Sequence, residues 1–129
     1  MNIVVCLKQT FDTEAKIVLD SSGNIDSTGV EQVINPYDEF AIEEGLQLRE
    51  KFGGEVTVVS MGPEKAEAAI RTALAMGCDK GVLITDPEIV NPDEWAAAEV
   101  LSKAISQIPY DIILVGRIAV DFGSSQVGV

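Results

Sequence analysis

Residues 111–127 read DIILVGRIAVDFGSSQV. An apolar run, Ile112 to Val115, stops at Gly116 and gives way to Arg117, Ile118, Ala119, Val120, Asp121, Phe122, Gly123, Ser124, Ser125, Gln126 and Val127. A short continuous aliphatic run of this kind is the pattern of a strand buried on both faces. Three other stretches share it: NIVVCLK at 2–8, EVTVVSM at 55–61 and GVLIT at 81–85. The strands expected from them cover residues 2–7, 55–60, 81–85 and 111–115.

Between these runs the apolar spacing changes to that of helices. In NPYDEFAIEEGLQLREKFGG, Asn35 is placed to cap a helix, Pro36 suits its first position, and Asp38 and Glu39 lie in its first turn. Ala41, Gly45, Leu48 and Phe52 recur on one face, and Gly53-Gly54 ends the segment. GPEKAEAAIRTALAMG starts a second helix at Pro63 and stops at Gly77, with Ala66, Ala69, Ile70, Ala73 and Leu74 as its narrow apolar face. NPDEWAAAEVLSKAISQ repeats the Asn-Pro start for a third, with Trp95 as a packing residue. The three helices are expected near 37–52, 63–76 and 92–107.

Strands alternating with helices through short links imply a parallel sheet covered on both faces. One segment breaks the alternation. In residues 15–34, two short strand-like pieces flank Ser22-Gly23-Asn24, which reads as a small hairpin excursion off the main sheet. Ligands of such folds sit beyond the carboxyl ends of the strands, near a switch in strand order. Topology therefore gathers four stretches into one crevice: CLKQT after the first strand, the NPYD helix start, SMGP after the second buried strand, and GRIAVDFGSS after the last.

Composition narrows what the crevice can do. The 129 residues fit one domain spanning 1–129; with 47% hydrophobic and only 5% aromatic residues, its core must be aliphatic. A net charge of −12 repels phosphate backbones and anionic lipid, which argues against nucleic acid or a membrane surface as partner. There is no histidine, so the commonest general base and metal ligand is missing. Cys6 and Cys78 belong to no C-x-x-C pair, which removes support for zinc or thioredoxin-type chemistry and suits a reducing, cytoplasmic setting. With no signal-peptide pattern and no long apolar stretch, no membrane insertion is expected. Neither G-x-G-x-x-G after the first strand nor G-x-x-x-x-G-K-[ST] occurs, which disfavours a Rossmann dehydrogenase or a P-loop enzyme.

The loop from Gly116 to Gln126 offers backbone N–H groups and a helix start at Ser124 or Ser125, a combination that favours phosphate. Strand-to-helix loops of the same composition also occur without a ligand. At NPYD the first-turn acids already complement the helix dipole, so a sugar hydroxyl or an adenine edge suits Asn35 and Asp38 better than a phosphate does. Asn35-Pro36 as a cap alone accounts for the same residues. Met61 offers a flat apolar surface to a ring and Gly62 a close backbone approach, or SMGP is a plain Gly-Pro turn. Cys6, inside a buried run, reads as core at least as well as a contact.

Taken together, MNIVVCLKQTFDTEAKI, GVEQVINPYDEFAIEEGLQLREK, EVTVVSMGPEKAEAAIRTALAMGCDKGVLI and YDIILVGRIAVDFGSSQVG resemble the N-terminal part of the electron transfer flavoprotein beta subunit. The resemblance runs through essentially the whole chain, and the ordered combination of INPYDEFAIEE, RTALAMG and G-R-x-A-V-D with S-x-Q-V-G carries it. It implies an α/β fold, a parallel Rossmann-like sheet of the adenine nucleotide alpha-hydrolase-like type. It further implies a heterodimer with an alpha subunit that carries the redox-active FAD, and electrons received from acyl-CoA-type dehydrogenases. The chain itself would bind AMP in a structural role, or a second FAD in the same pocket as in the electron-bifurcating branch. The family's pocket residues carry over to Cys6, to Asn35, Pro36, Tyr37 and Asp38, to Met61, and to Gly116 through Val127.

Two departures leave AMP versus FAD open: Ile118 stands where the family usually has Gln, and Phe122-Gly123 replaces acidic residues after Asp121. Family members also continue past this loop into further helix, strands and a C-terminal arm that recognises dehydrogenases, so the chain is expected to be a fragment. An electron-carrier subunit needs no catalytic residues of its own, in keeping with the missing acid–base pair. A free-standing ATP- or AMP-binding module, like a stress protein of similar fold, is the alternative from another class. A hydrolase would need a nucleophile–base pair that cannot be drawn.

Overall fold

Four aliphatic runs assemble one parallel sheet in the computed structural model, which describes residues 1–11, 18–19, 25–26, 32–62, 64–85 and 94–116. In chain order the elements are β1 (Asn2–Cys6), β2 (Gln9–Phe11), β3 (Val18–Leu19), β4 (Ile25–Asp26), β5 (Gln32–Ile34), α1 (Pro36–Phe52) and β6 (Glu55–Met61). A single 3-10 turn (Glu64–Ala66) then leads into α2 (Glu67–Met76), followed by β7 (Lys80–Ile84), α3 (Glu94–Ile105) and β8 (Ile112–Val115). The main sheet has the order β7-β6-β1-β8 with every pair parallel. The chain thus builds outward from β1 on one side through β6 and β7, then returns to place β8 on the other side of β1. The strand order switches between β1 and β8.

Helices cover both faces, as the alternation of patterns predicts. Ile3, Val5, Val56 and Val58 point toward α1 and α2 and pack with Ala41, Ile42, Ala69, Ile70 and Ala73. Val4 and Val59 point the other way and pack with Ile105 of α3. Burying one such aliphatic side chain is worth about 1.5–3 kcal/mol, so these two layers supply the main drive for the fold. Small residues on α1 let it lie close: the Gly45 Cα faces the Val5 and Ile3 methyl groups. Helix α1 carries Asp38 and Glu39 in its first turn and Arg49 and Lys51 in its last, each set matched to the adjacent dipole end. It stops at Gly53 and Gly54, whose φ values of 76° and 111° suit residues without a Cβ.

The apolar faces read from spacing need adjustment at their ends. Ala41 and Gly45 are buried and Leu48 packs at the edge of the core, but Phe52 is 58% exposed and Ile42, not Phe52, is fully buried. Likewise Ala66, Ala69, Ile70 and Ala73 are buried while Leu74 is exposed. Both exceptions lie in the last turn of their helices. The described part of the third helix begins at Glu94 and ends at Ile105; its Asn91-Pro92 start and the Trp95 side chain lie outside the described residues, as does Pro63.

The excursion is present and is deeper than the sequence suggests. β3 and β4 pair antiparallel on either side of residues 22–24, as expected. Outside them, β2 and β5 form a second antiparallel ladder, Gln9↔Ile34 to Phe11↔Gln32, in a stretch read from sequence only as a loop after β1. Below that ladder the Asn35 N–H donates to the Lys8 carbonyl at 2.8 Å, which returns the chain to the carboxyl end of β1 at the start of α1.

Candidate functional site

The strand order switches at the carboxyl ends of β1 and β8, the place where the sequence leads one to expect a ligand crevice. Register fixes its floor: Cys6, the last residue of β1, is level with Val115, the last of β8, and with Val59 of β6. The first turn of α1 closes one side of it. Asn35 is 1% exposed and Asp38 is 6% exposed, so two polar side chains are withdrawn from water at the mouth of the sheet.

Asn35 occupies the N-cap position, yet its side chain makes no capping hydrogen bond to the helix. The Asp38 and Glu39 N–H groups are instead received by the Asn35 backbone carbonyl at 2.9 and 3.2 Å. The Asn35 side chain turns to Asp38 and hydrogen-bonds its carboxylate. This differs from the simple side-chain cap expected from Asn-Pro, and the reason is local: a buried carboxylate three residues on is a stronger acceptor in need of donors.

Asp38 is the centre of the arrangement. Its Oδ2 accepts the Lys8 N–H at 2.8 Å, and the carboxylate also accepts the Gly116 N–H and the Asn35 side chain. One carboxylate therefore ties the exits of β1 and β8 to the first turn of α1. Burial outweighs these donors and the nearby Lys8 charge, and pushes the Asp38 carboxyl up to about 6. Burial, then the Asp38 charge, pushes the Cys6 thiol up to about 11, which keeps it protonated and a poor nucleophile at neutral pH.

Gly116 is required by the closeness of this packing. A Cβ there would strike the Asp38 carboxylate and lie 2.7 Å from both the Asp38 nitrogen and the Tyr37 carbonyl carbon. Of the other sequence-predicted residues, Pro36 is half-buried as the first residue of α1, and Tyr37 is 44% exposed. Met61 ends β6, half-buried and level with Ile84, and the following Gly62 N–H donates to the Ile84 carbonyl at 3.0 Å. Arg117 through Val127 lie outside the described residues. The structure thus joins Asn35, Asp38 and Gly116 directly and sets Cys6 beside them; Met61 stands one strand further along the same edge.

Two residues were not singled out from sequence. Lys8 contributes both its N–H, to Asp38, and its carbonyl, to Asn35; its position as the first charge after an apolar run was the available signal. Ser60 is fully buried beside Met61, and its hydroxyl has no hydrogen-bond partner among the described residues. A lone serine at the end of a valine run carries no local mark of this.

The chemistry that the described wall presents is limited. It offers a protonated thiol and a carboxylate already shared among three donors, and no group of three or more possible metal ligands exists among the described residues. With Asp38 and Glu39 in the first turn of α1, a phosphate here would meet like charge, whereas a neutral hydrogen-bonding group would not. No helix among the described residues is long and apolar enough to cross a membrane.

Comparison with known proteins gives a consistent result. A family model described as "Electron transfer flavoprotein domain" matches residues 22–129. The "Electron transfer flavoprotein subunit beta" of Bacillus subtilis (strain 168) is 50% identical over 128 residues, covering 98% of this chain and 49% of that protein. "Protein FixA" of Azotobacter vinelandii is 42% identical, over 99% of this chain and 47% of its own length. The "Acryloyl-CoA reductase electron transfer subunit gamma" of Anaerotignum propionicum is 39% identical, over 99% and 49%. The chain spans about half the length of these relatives.

Proposed function

Because the chain belongs to the electron transfer flavoprotein beta-subunit family, we propose that it is the AMP-binding component of a heterodimeric electron carrier. Its partner is an alpha subunit holding FAD, and the assembly takes electrons from acyl-CoA-type dehydrogenases. The observation that supports this reading is the strand-order switch between β1 and β8, with buried Asn35 and the close approach of Gly116 to the first turn of α1 beside it. Strand-order switches are where open α/β sheets hold nucleotides. The flavin supplies the redox chemistry; this chain's residues bind and orient.

In this reading the adenosine end lies toward the NPYD start of α1, at Asn35 and Asp38, and the phosphate on the backbone of Gly123–Gln126 with Arg117 upstream. Electrostatics supports that direction. The first turn of α1 holds two carboxylates in a chain of net charge −12, whereas Ser124, Ser125 and Gln126 are neutral. Calorimetry with AMP and with FAD on the intact protein tests the reading, together with flavin absorbance of the purified chain and co-purification of a flavoprotein subunit. AMP binding without bound flavin is expected. Bound flavin in this chain would replace AMP by a second FAD, and binding of neither nucleotide would remove the proposal. Ser125→Asp should lower AMP affinity steeply and Tyr37→Asp much less; the reverse order would mean that the nucleotide lies the other way round.

A further inference from the structure

We propose that Asp38 is a positioning residue rather than a ligand contact: its carboxylate latches the exits of β1 and β8 to α1 and so sets the crevice for whatever binds there. The residues expected to touch a ligand are its neighbours. Three observations carry this. The carboxylate is buried, and its acceptor sites are taken by the Lys8 N–H at 2.8 Å, the Gly116 N–H and the Asn35 side chain. Gly116 has no room for a Cβ because the Asp38 carboxylate and the Tyr37–Asp38 peptide stand against it, so the end of β8 is held tight to the first turn of α1. Asn35 is itself anchored twice, by its N–H on the Lys8 carbonyl and by its side chain on Asp38. Releasing the carboxylate would therefore free both walls together, Asn35 on one side and the exit of β8 on the other.

Both oxygens must accept for the latch to close. Asparagine keeps the shape but turns one acceptor into a donor, which then faces an N–H instead of receiving it. Protonation does the same to one oxygen. Among the described residues, the charged and titratable groups facing Asp38 are Lys8, whose charge favours the ionised form, and Cys6, whose thiol stays neutral.

The functional consequence rests on the nucleotide reading above, and the test separates the two. In the intact protein, wild type, Asp38→Asn and Asp79→Asn are compared by amide exchange at Lys8 and Gly116, by the pH profile of those amide resonances, and by AMP calorimetry. Asp79→Asn loosens the opposite end of the sheet and serves as the control for general destabilisation. In wild type the Lys8 and Gly116 amides should titrate together near pH 6, where burial has moved the Asp38 carboxyl. Asp38→Asn should abolish that profile, speed exchange at both amides and weaken AMP roughly tenfold, the loss expected for one unmade buried hydrogen bond. Asp79→Asn should change neither the profile nor the affinity. Unchanged exchange and affinity in Asp38→Asn would overturn the latch, and faster exchange with wild-type affinity would overturn its role in binding. AMP binding to none of the three would count against the nucleotide reading, and the exchange rates and pH profile would then decide the latch alone.

Discussion

Two aspartates do similar work at opposite ends of the sheet under opposite electrostatic terms. At the amino end, Asp79 accepts the Val56 N–H and Arg49 Nη1, each at 2.8 Å, and the same guanidinium donates to the Gly77 carbonyl at 2.6 Å. This fastens the end of α1 to the start of β6 and β7. The site is open to water, and the Val56 N–H followed by Arg49 holds the Asp79 carboxyl below its usual range. At the carboxyl end, Asp38 joins α1 to β1 and β8, but it is buried, and burial outweighs both its hydrogen-bond donors and the nearby Lys8 charge. Its carboxyl is pushed up to about 6. A carboxylate that only had to staple elements would do so more favourably at the surface. Placing one under the crevice costs stability, which is the pattern of a site kept for what it positions.

The sharpest way to break the comparison is to fill the contact at the carboxyl end. Gly116→Ala should lower stability by about 3 kcal/mol or more, since backbone atoms rather than a flexible side-chain tip stand in the way. Urea denaturation measures it, and a loss below about 1 kcal/mol would mean that the close packing is not rigid.

The next effect is a difference in sign. The folded Asp38 carboxyl lies near 6 against 3.8 for the free group, so its contribution is fully present at acid pH and is lost as pH rises through about 6. The span is worth about 3 kcal/mol at most. Asp79 is lowered, so its contribution is present at neutral pH and is lost as pH falls below the ordinary carboxylate range. Stability curves against pH for wild type minus Asp38→Asn and wild type minus Asp79→Asn should slope in opposite directions. Parallel slopes would erase the contrast.

Smaller still is the amino-end staple itself. Asp79→Ala leaves the Val56 N–H without its acceptor and frees Arg49; with the pair partly in water, about 1 kcal/mol is expected by thermal or urea melting. Arg71→Ala, which breaks the exposed pair with Glu67 on α2, should cost less than about 0.5 kcal/mol. A larger loss there than at Asp79 would show that ion pairs, and not backbone anchoring, hold the surface.

How much of this was legible in the sequence follows from the range of the forces involved. The four aliphatic runs, the parallel order and the helices on both faces are written in local composition and periodicity, and the structure has them in the expected places. Gln9–Phe11 was not legible as a strand because three residues carry no period and their partner lies across the excursion at Gln32–Ile34. Phe52 and Leu74 fit their helical stripes, yet both lie in the last turn of their helices and are exposed, which spacing does not encode. Asp38 reads as a first-turn acid and as a candidate contact for a sugar hydroxyl or an adenine edge. That its carboxylate would be claimed by Lys8 and Gly116 depends on topology bringing two strand ends to one helix, so the sequence marked the place but not the partners.

The pairing of β8 with β1 also governs the order of assembly. Asn2 and Asp111 clasp each other through the Asn2 N–H to Asp111 Oδ2 at 2.6 Å and the Asp111 N–H to the Asn2 carbonyl at 2.8 Å, across 109 positions of chain. β1, α1 and β6 meet over a shorter span of chain than β1 and β8 do, and the longer closure costs extra entropy, about 0.6 kcal/mol per doubling of length. One edge of β1 thus depends on β8, which lies 109 positions further along the chain. Truncating Ile112 should therefore speed unfolding with little change in the refolding rate, whereas truncating Val58 should slow refolding.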